Sequence, residues 1–267
     1  MDAIQFLLAP FVMCLLLVVI HCYLGLHVLA RGVVFVDLSL AQVASFGATV
    51  ALLWDPEHES STGYFIALTG TFIAAAIFAM ARRFEKKLPQ EALIGITYAF
   101  ASAAVVLVID KLAHGAEHLK EALIGQILWV TWSDVLKTFL IYSVVGVIHW
   151  KFRDKFLRNS FHSEHGHWFW DFLFYALFGV VITSSTSIAG VLLVFSFLIV
   201  PAALSSLFAT SIAKRLLFGW LLGAVVSLLG MILSYKLDLP VGAVLVVLLT
   251  SLPILAVPVL FLTRSRV

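Results

Sequence analysis

The chain has 267 residues, of which 62% are hydrophobic and only 12% charged; its net charge is +2 and its mean hydropathy +1.08. Soluble domains carry roughly a quarter charged residues, so the composition excludes one, and without a basic block longer than two residues it offers no grip on nucleic acid. It predicts an all-α polytopic membrane protein, one transmembrane domain over 1–267.

A span needs about 20 mainly apolar residues, and the charges divide the chain on that scale. The first run, Ala3 to Ala30, has no basic region before it and no small-residue cleavage pattern. It reads as a span and not as a signal peptide. Cys14 and Cys22 share it, about 12 Å apart along a helix, too far for a disulfide with each other. Span one is thus Ala3 to Leu29, span two Val33 to Trp54, span three Tyr64 to Ala81 and span four Ala92 to Ile109. After a polar section, Asp110 to Glu121, Trp129, Trp132, Asp134 and Lys137 read as interfacial, because tryptophan belts mark headgroup level. Span five then runs from Trp132 to Trp150. The uncharged stretch Phe172 to Ala213 is long enough for two spans, with a turn expected at Ser184 to Ser187 and a kink at Pro201. Leu216 to Tyr235 and Leu239 to Leu262 complete nine spans, or eight if one segment is re-entrant.

Lysine and arginine concentrate in short cytoplasmic loops. Taking alternate loops as cytoplasmic places 13 of the 17 on one side, from Arg31 through Arg82, Arg83, Lys86 and Lys87 to Arg264 and Arg266. The opposite side begins with DPEHESST, three acids and no base. The amino terminus is therefore expected outside and the carboxyl terminus inside.

Within the second span, ARGVVFVDLSLAQVASFGATVALLW, sits Asp37. A carboxylate in hydrocarbon costs at least about 2.5 kcal/mol on insertion scales, so it needs a partner, a water-filled path or a job. It reads either as the edge of a transport pathway or as a side chain one turn inside the span that reaches headgroup water. His21 in span one and Gln42 in span two fall near the same depth by rise per residue, and with Asp37 they offer nitrogen and oxygen ligands suited to a divalent ion. The bland reading of His21 is a hydrogen bond to a neighbouring carbonyl.

Five of the nine histidines lie in two short clusters. In DKLAHGAEHLKE, His114 and His118 are four apart, on one side of a helix, with Glu117 adjacent, a spacing that can hold zinc or a similar ion. In FHSEHGHW, His162, Glu164, His165 and His167 form a tract with a compositional tendency to bind metal. Either cluster also reads as a solvated polar loop. The chain has no Gly-x-x-x-x-Gly-Lys-Ser/Thr loop to cradle nucleotide phosphates, no Gly-x-Ser-x-Gly elbow and no His-Glu-x-x-His helix. Any ATP that drives it is hydrolysed by a separate polypeptide.

Five stretches, in order and over nearly the whole chain, resemble the integral membrane permeases of bacterial ABC importers for zinc, manganese and iron. ARGVVFVDLSLAQVASFG is similar to that family's basic turn and Asp-x-Leu-Ala-His-Ala motif, and LPQEALIGITYAF to its acid-x-x-Ile-Gly-Ile segment. GQILWVTWSDV, SIAGVLLVFSFLIVPAALSSLFA and YKLDLPVG are similar to its Gly-x-Ile-Leu-x-Val-Ser, Val-Gly-x-Leu-Leu-Val to Pro-Ala-Ala, and Tyr-x-Leu-Asp-Leu-Pro-x-Gly segments. Gln42 stands where the family's histidine is expected, and the acid is Asp37 where register would place it at Leu38. An amide oxygen is a poorer zinc ligand than imidazole.

The resemblance implies a type II importer architecture in the bacterial cytoplasmic membrane. Two permease copies would enclose the path, two ABC ATPase subunits would power it, and an extracytoplasmic metal-binding protein would deliver a divalent metal as substrate, with no permanently bound cofactor. It also implies a cytoplasmic coupling loop at about 151–170, with Asn159 to Trp170 docking into the ATPase. A proton-driven secondary transporter would require paired ionisable groups at the midplane, and the sequence offers none. An intramembrane metalloenzyme would collect ligands from several helices, whereas FHSEHGHW is one local cluster.

Overall fold

The computed structural model describes residues 3–53, 61–85, 87–112, 115–161 and 167–264. Its described residues form ten α-helices and two short 3-10 turns. Helix α1 spans Ala3–Arg31, α2 Val36–Ala51, α3 Ser61–Ala81, α4 Gln90–Ile109 and α5 Gly115–Ile124. They are followed by α6 Trp132–Lys151, α7 Arg153–Phe161, α8 Trp168–Phe208, α9 Ile212–Leu237 and α10 Val241–Arg264. Among the described residues five helices are long and apolar enough to cross a membrane, α6 with α7 makes a bent pair, and α2 and residues Val241–Ala256 of α10 form shorter apolar helices.

The spans begin where the chain offers a start signal. Thr131 caps α6 by accepting from the Asp134 amide, and the Asp134 carboxylate returns the bond to the Thr131 amide, a reciprocal capping box. Trp129 and Trp132 lie exposed beside it, consistent with the interfacial reading. Ser211 caps α9 with a single bond, its hydroxyl accepting from the Lys214 amide. Cys14 and Cys22 are both free and buried.

Helix α8 is the element that departs most from expectation. Asp171 at its start pairs with Arg31 at the end of α1, and Ser206 near its finish lines a pocket with Leu29 and Ala30 of the same α1 end. A straight helix of 41 residues would be about 60 Å long, so both ends can meet one end of α1 only if the chain reverses midway. It does so at Gly190, which has φ 73° and ψ 160° inside otherwise helical backbone. Two arms are present, as the length of the uncharged stretch leads one to expect, and with α6 and α7 taken as one the described residues hold nine span-like segments.

The turn is not at Ser184 to Ser187. There each hydroxyl bonds back to the preceding turn: Ser184 and Ser185 to the Val181 carbonyl, Thr186 to Ile182 and Ser187 to Ser184. In an apolar setting those bonds satisfy the side chains without leaving the helix. Nor is the break at Pro201, where the backbone stays helical. Gly190 turns against Gly125, at the mouth of the connection between α5 and α6, and Gly125 also has positive φ.

Close backbone approach does the packing elsewhere, as expected where lipid supplies no hydrophobic drive between helices. Gly25 of α1 lies directly on the Leu198 carbonyl of α8. The core around it is aliphatic and aromatic, with Leu17, Leu24, Phe174, Tyr175, Phe178 and Phe197 enclosed.

Candidate functional site

Helix α2 carries the acid that the sequence singled out. Asp37 falls in its first turn, 1% exposed, and neither carboxylate oxygen has a hydrogen-bond partner among the described residues. The alternative that it reaches headgroup water is corrected by that burial, α2 packing on α3, α4 and α8. Ser39, two residues on, is likewise enclosed with an unpartnered hydroxyl. Gln42 is 9% exposed on the same helix.

His21 sits apart from these two. Its Nδ1 donates to the Leu17 carbonyl at 2.8 Å, and its Nε2 lies 3.2 Å from the Ser185 hydroxyl of α8. The Tyr142 ring stands edge-on beside it. With Nδ1 donating to a carbonyl, Nε2 is left as an acceptor beside the Ser185 hydroxyl. α1 packs on α8, α9 and α6, whereas α2 packs on α3, α4 and α8. Equal depth therefore does not make His21 and Gln42 neighbours.

Of the two histidine clusters, His114, His162, Glu164 and His165 lie outside the described residues, and the side chain of His118, within α5, does as well. His167 is exposed and precedes α8 as its N-cap without a side-chain bond. Among the described residues no three His, Cys, Asp or Glu side chains are grouped as a metal site.

A polar cluster among the described residues is one that sequence reasoning missed. At the carboxyl end of α1, Arg31 is enclosed, its side chain 2% exposed. It pairs with Asp171 of α8 at 2.7 Å and lies over the Phe174 ring at 4.0 Å. Arg82, just past α3, pairs with the same Asp171 oxygen, and Asn159 of α7 donates to it. Beside them, His27 meets Ser160 at 2.8 Å and His149 meets Tyr23 at 3.1 Å. Arg31 and Arg82 were read from the sequence only as topology signals. Asp171 was hidden in the aromatic run WFWDF. The available signal was an acid at the edge of a long uncharged stretch, on the side where two other spans end in arginine.

Comparison with known proteins now fits this geometry. The ABC 3 transport family model matches residues 3–260, and the chain belongs to that family. It is 25% identical over 236 residues to a probable metal transport system membrane protein of Chlamydia muridarum, covering 84% of this chain and 79% of that one. It is also 25% identical over 234 residues to the manganese transport system membrane protein MntC of Listeria monocytogenes, covering 85% and 81%. In fold it is similar to the structure of PsaBC from Streptococcus pneumoniae in complex with Fab, with TM-score 0.76 and 22% identity over 94% of this chain and 91% of that one. As a member of the ABC 3 transport family, the chain is a multi-pass membrane permease subunit of an ABC transporter, whose ATPase is a separate chain.

Proposed function

We propose that this chain is the permease subunit of an importer that moves a divalent metal ion, manganese before zinc or iron, across the cytoplasmic membrane. The observation that carries the reading is Asp37. A carboxylate enclosed in a span with both oxygens unpartnered is costly unless a cation meets it. Gln42, farther along the same helix, also carries an oxygen ligand type. Carbonyl and carboxylate oxygens suit manganese, whereas imidazole and thiolate favour zinc. That relatives from Listeria and Chlamydia are named for manganese and metal transport supports the same substrate class.

In this reading two copies of the chain enclose the path, separate ATPases bind its basic end, and an external protein delivers the ion. The amino terminus faces out and the carboxyl terminus in. The histidines at 114, 118, 162, 165 and 167, with Glu164, bind metal transiently at the two mouths, while His21, tied to the Leu17 carbonyl and beside Ser185, stands apart from Asp37. Uptake of radioactive manganese by cells carrying the wild-type chain or Asp37→Ala tests the reading; equal uptake in the two would remove Asp37 from the path.

A further inference from the structure

Helix α2 has no side-chain cap of its own at its amino end. The bond comes from another element: Glu91, in the first turn of α4, accepts from the Phe35 amide through Oε1 at 3.1 Å. The residue before it, Gln90, is enclosed and holds the start of α4 in place. Its Nε2 donates to the Phe78 carbonyl of α3 at 2.8 Å and to the Tyr175 hydroxyl of α8 at 2.9 Å. Glu91 is therefore carried by anchored backbone, as a ligand that must be held in position requires.

Capping explains only half of that carboxylate. Glu91 Oε2 is enclosed and has no hydrogen-bond partner among the described residues, and no described lysine or arginine forms an ion pair with it. The only other carboxylate oxygens in that condition among the described residues are the two of Asp37. Asp37 lies two residues past Phe35, in the first turn of the same α2. A cap needs one acceptor, which a neutral amide would supply. Enclosing a carboxylate oxygen with nothing to meet it is costly, so Oε2 calls for a cation, as Asp37 does. The amides at the amino end of α2 favour negative charge, and one of them already occupies Oε1. A cation therefore meets a weaker ligand here than a wholly unbonded carboxylate, and weak holding suits release.

We propose that Glu91 is a second carboxylate station for the divalent cation, a release site that takes the ion from Asp37 at the end of the bundle where α1 stops. Gln42, Asp37 and Glu91 then follow one another toward that end. The inference deepens the reading of this chain as a metal permease and rests on it. Radioactive manganese uptake per molecule of chain in the membrane is compared for wild type, Glu91→Gln, Glu91→Asp and Asp37→Asn. Glutamine keeps an acceptor long enough to reach the Phe35 amide and removes the charge, whereas aspartate keeps the charge and draws it back by one carbon. A cation station lowers uptake by about fivefold or more in Glu91→Gln and leaves Glu91→Asp the more active of the two. A cap alone gives the reverse order, with Glu91→Gln close to wild type, and that result overturns the station. Full uptake by Glu91→Gln beside loss in Asp37→Asn overturns the station only; full uptake by both overturns the metal-path reading as well.

A second measurement does not depend on transport. Manganese is titrated into the detergent-solubilised chain, and the paramagnetic resonance signal of the free ion reports how much is bound. Asp37→Asn is expected to keep a weakened binding that the double variant Asp37→Asn/Glu91→Gln lacks. Equal binding by these two variants overturns the station, whatever the uptake assay gives.

Discussion

Gly125 and Gly190 stand so close that a methyl group on either would overlap the backbone of the other, and both have positive φ, +67° and +73°. The pair lets α8 reverse within a single residue while the connection between α5 and α6 packs directly against the bend. Gly190, with ψ 160°, occupies a backbone region that residues with a Cβ essentially do not enter. Gly190→Ala is therefore expected to cost at least about 1–3 kcal/mol in backbone strain alone, before the overlap with Gly125 is counted. Thermal unfolding of the detergent-solubilised protein checks this, with Gly146→Ala, where an added Cβ meets open space, as the control.

The enclosed ion pair should be far more sensitive than an exposed one. Asp171→Asn leaves Arg31 and Arg82 without their counter-charge, and removing one partner of an enclosed pair costs about 3–5 kcal/mol. Asp110 and Lys111 form an exposed pair at 3.6 Å, and Asp110→Asn is expected to change stability by less than about 1 kcal/mol. Equal melting temperatures for the two variants would contradict this ranking.

Asp37→Asn preserves shape and removes the charge. Stability is expected to hold or rise, since an enclosed unpartnered carboxylate is a burden to the fold, while manganese uptake drops by roughly tenfold or more. Uptake normalised to the amount of protein in the membrane separates these effects.

Gln42→His restores the ligand type that the family resemblance leads one to expect at this position. Imidazole favours zinc over manganese relative to an amide oxygen, so the ratio of zinc to manganese uptake is expected to rise. A ratio that stays fixed in competition assays would argue that Gln42 does not meet the ion.

Topology makes a separate prediction. A reporter enzyme active only in the cytoplasm is expected to be silent when fused within Asp55 to Thr62 and active when fused after Arg264. The reverse pattern would invert the proposed orientation.

Span positions were largely legible, because a charge-poor sequence marks its own boundaries: α1, α3, α4 and α6 begin and end within a few residues of the charges that delimit them. The bend in α8 was not, because serine and threonine signal turns in water but close on their own helix in an apolar core. At the site, Asp37 stood out as an acid among apolar residues. The partners of Asp171 did not, because Arg31, Arg82 and Asn159 are far apart in sequence and each has an ordinary explanation alone. Tertiary convergence of that kind leaves no periodic trace.

The one-residue reversal at Gly190 also decides how the molecule comes apart. Trypsin finds exposed sites at Arg158 and Lys214, and the sequence between them holds no lysine or arginine. Digestion of the membrane-embedded protein should thus release both arms of α8 on one fragment, a helical hairpin with no severable linker. An epitope spliced in at residue 190 has no slack to occupy and should prevent the arms from closing.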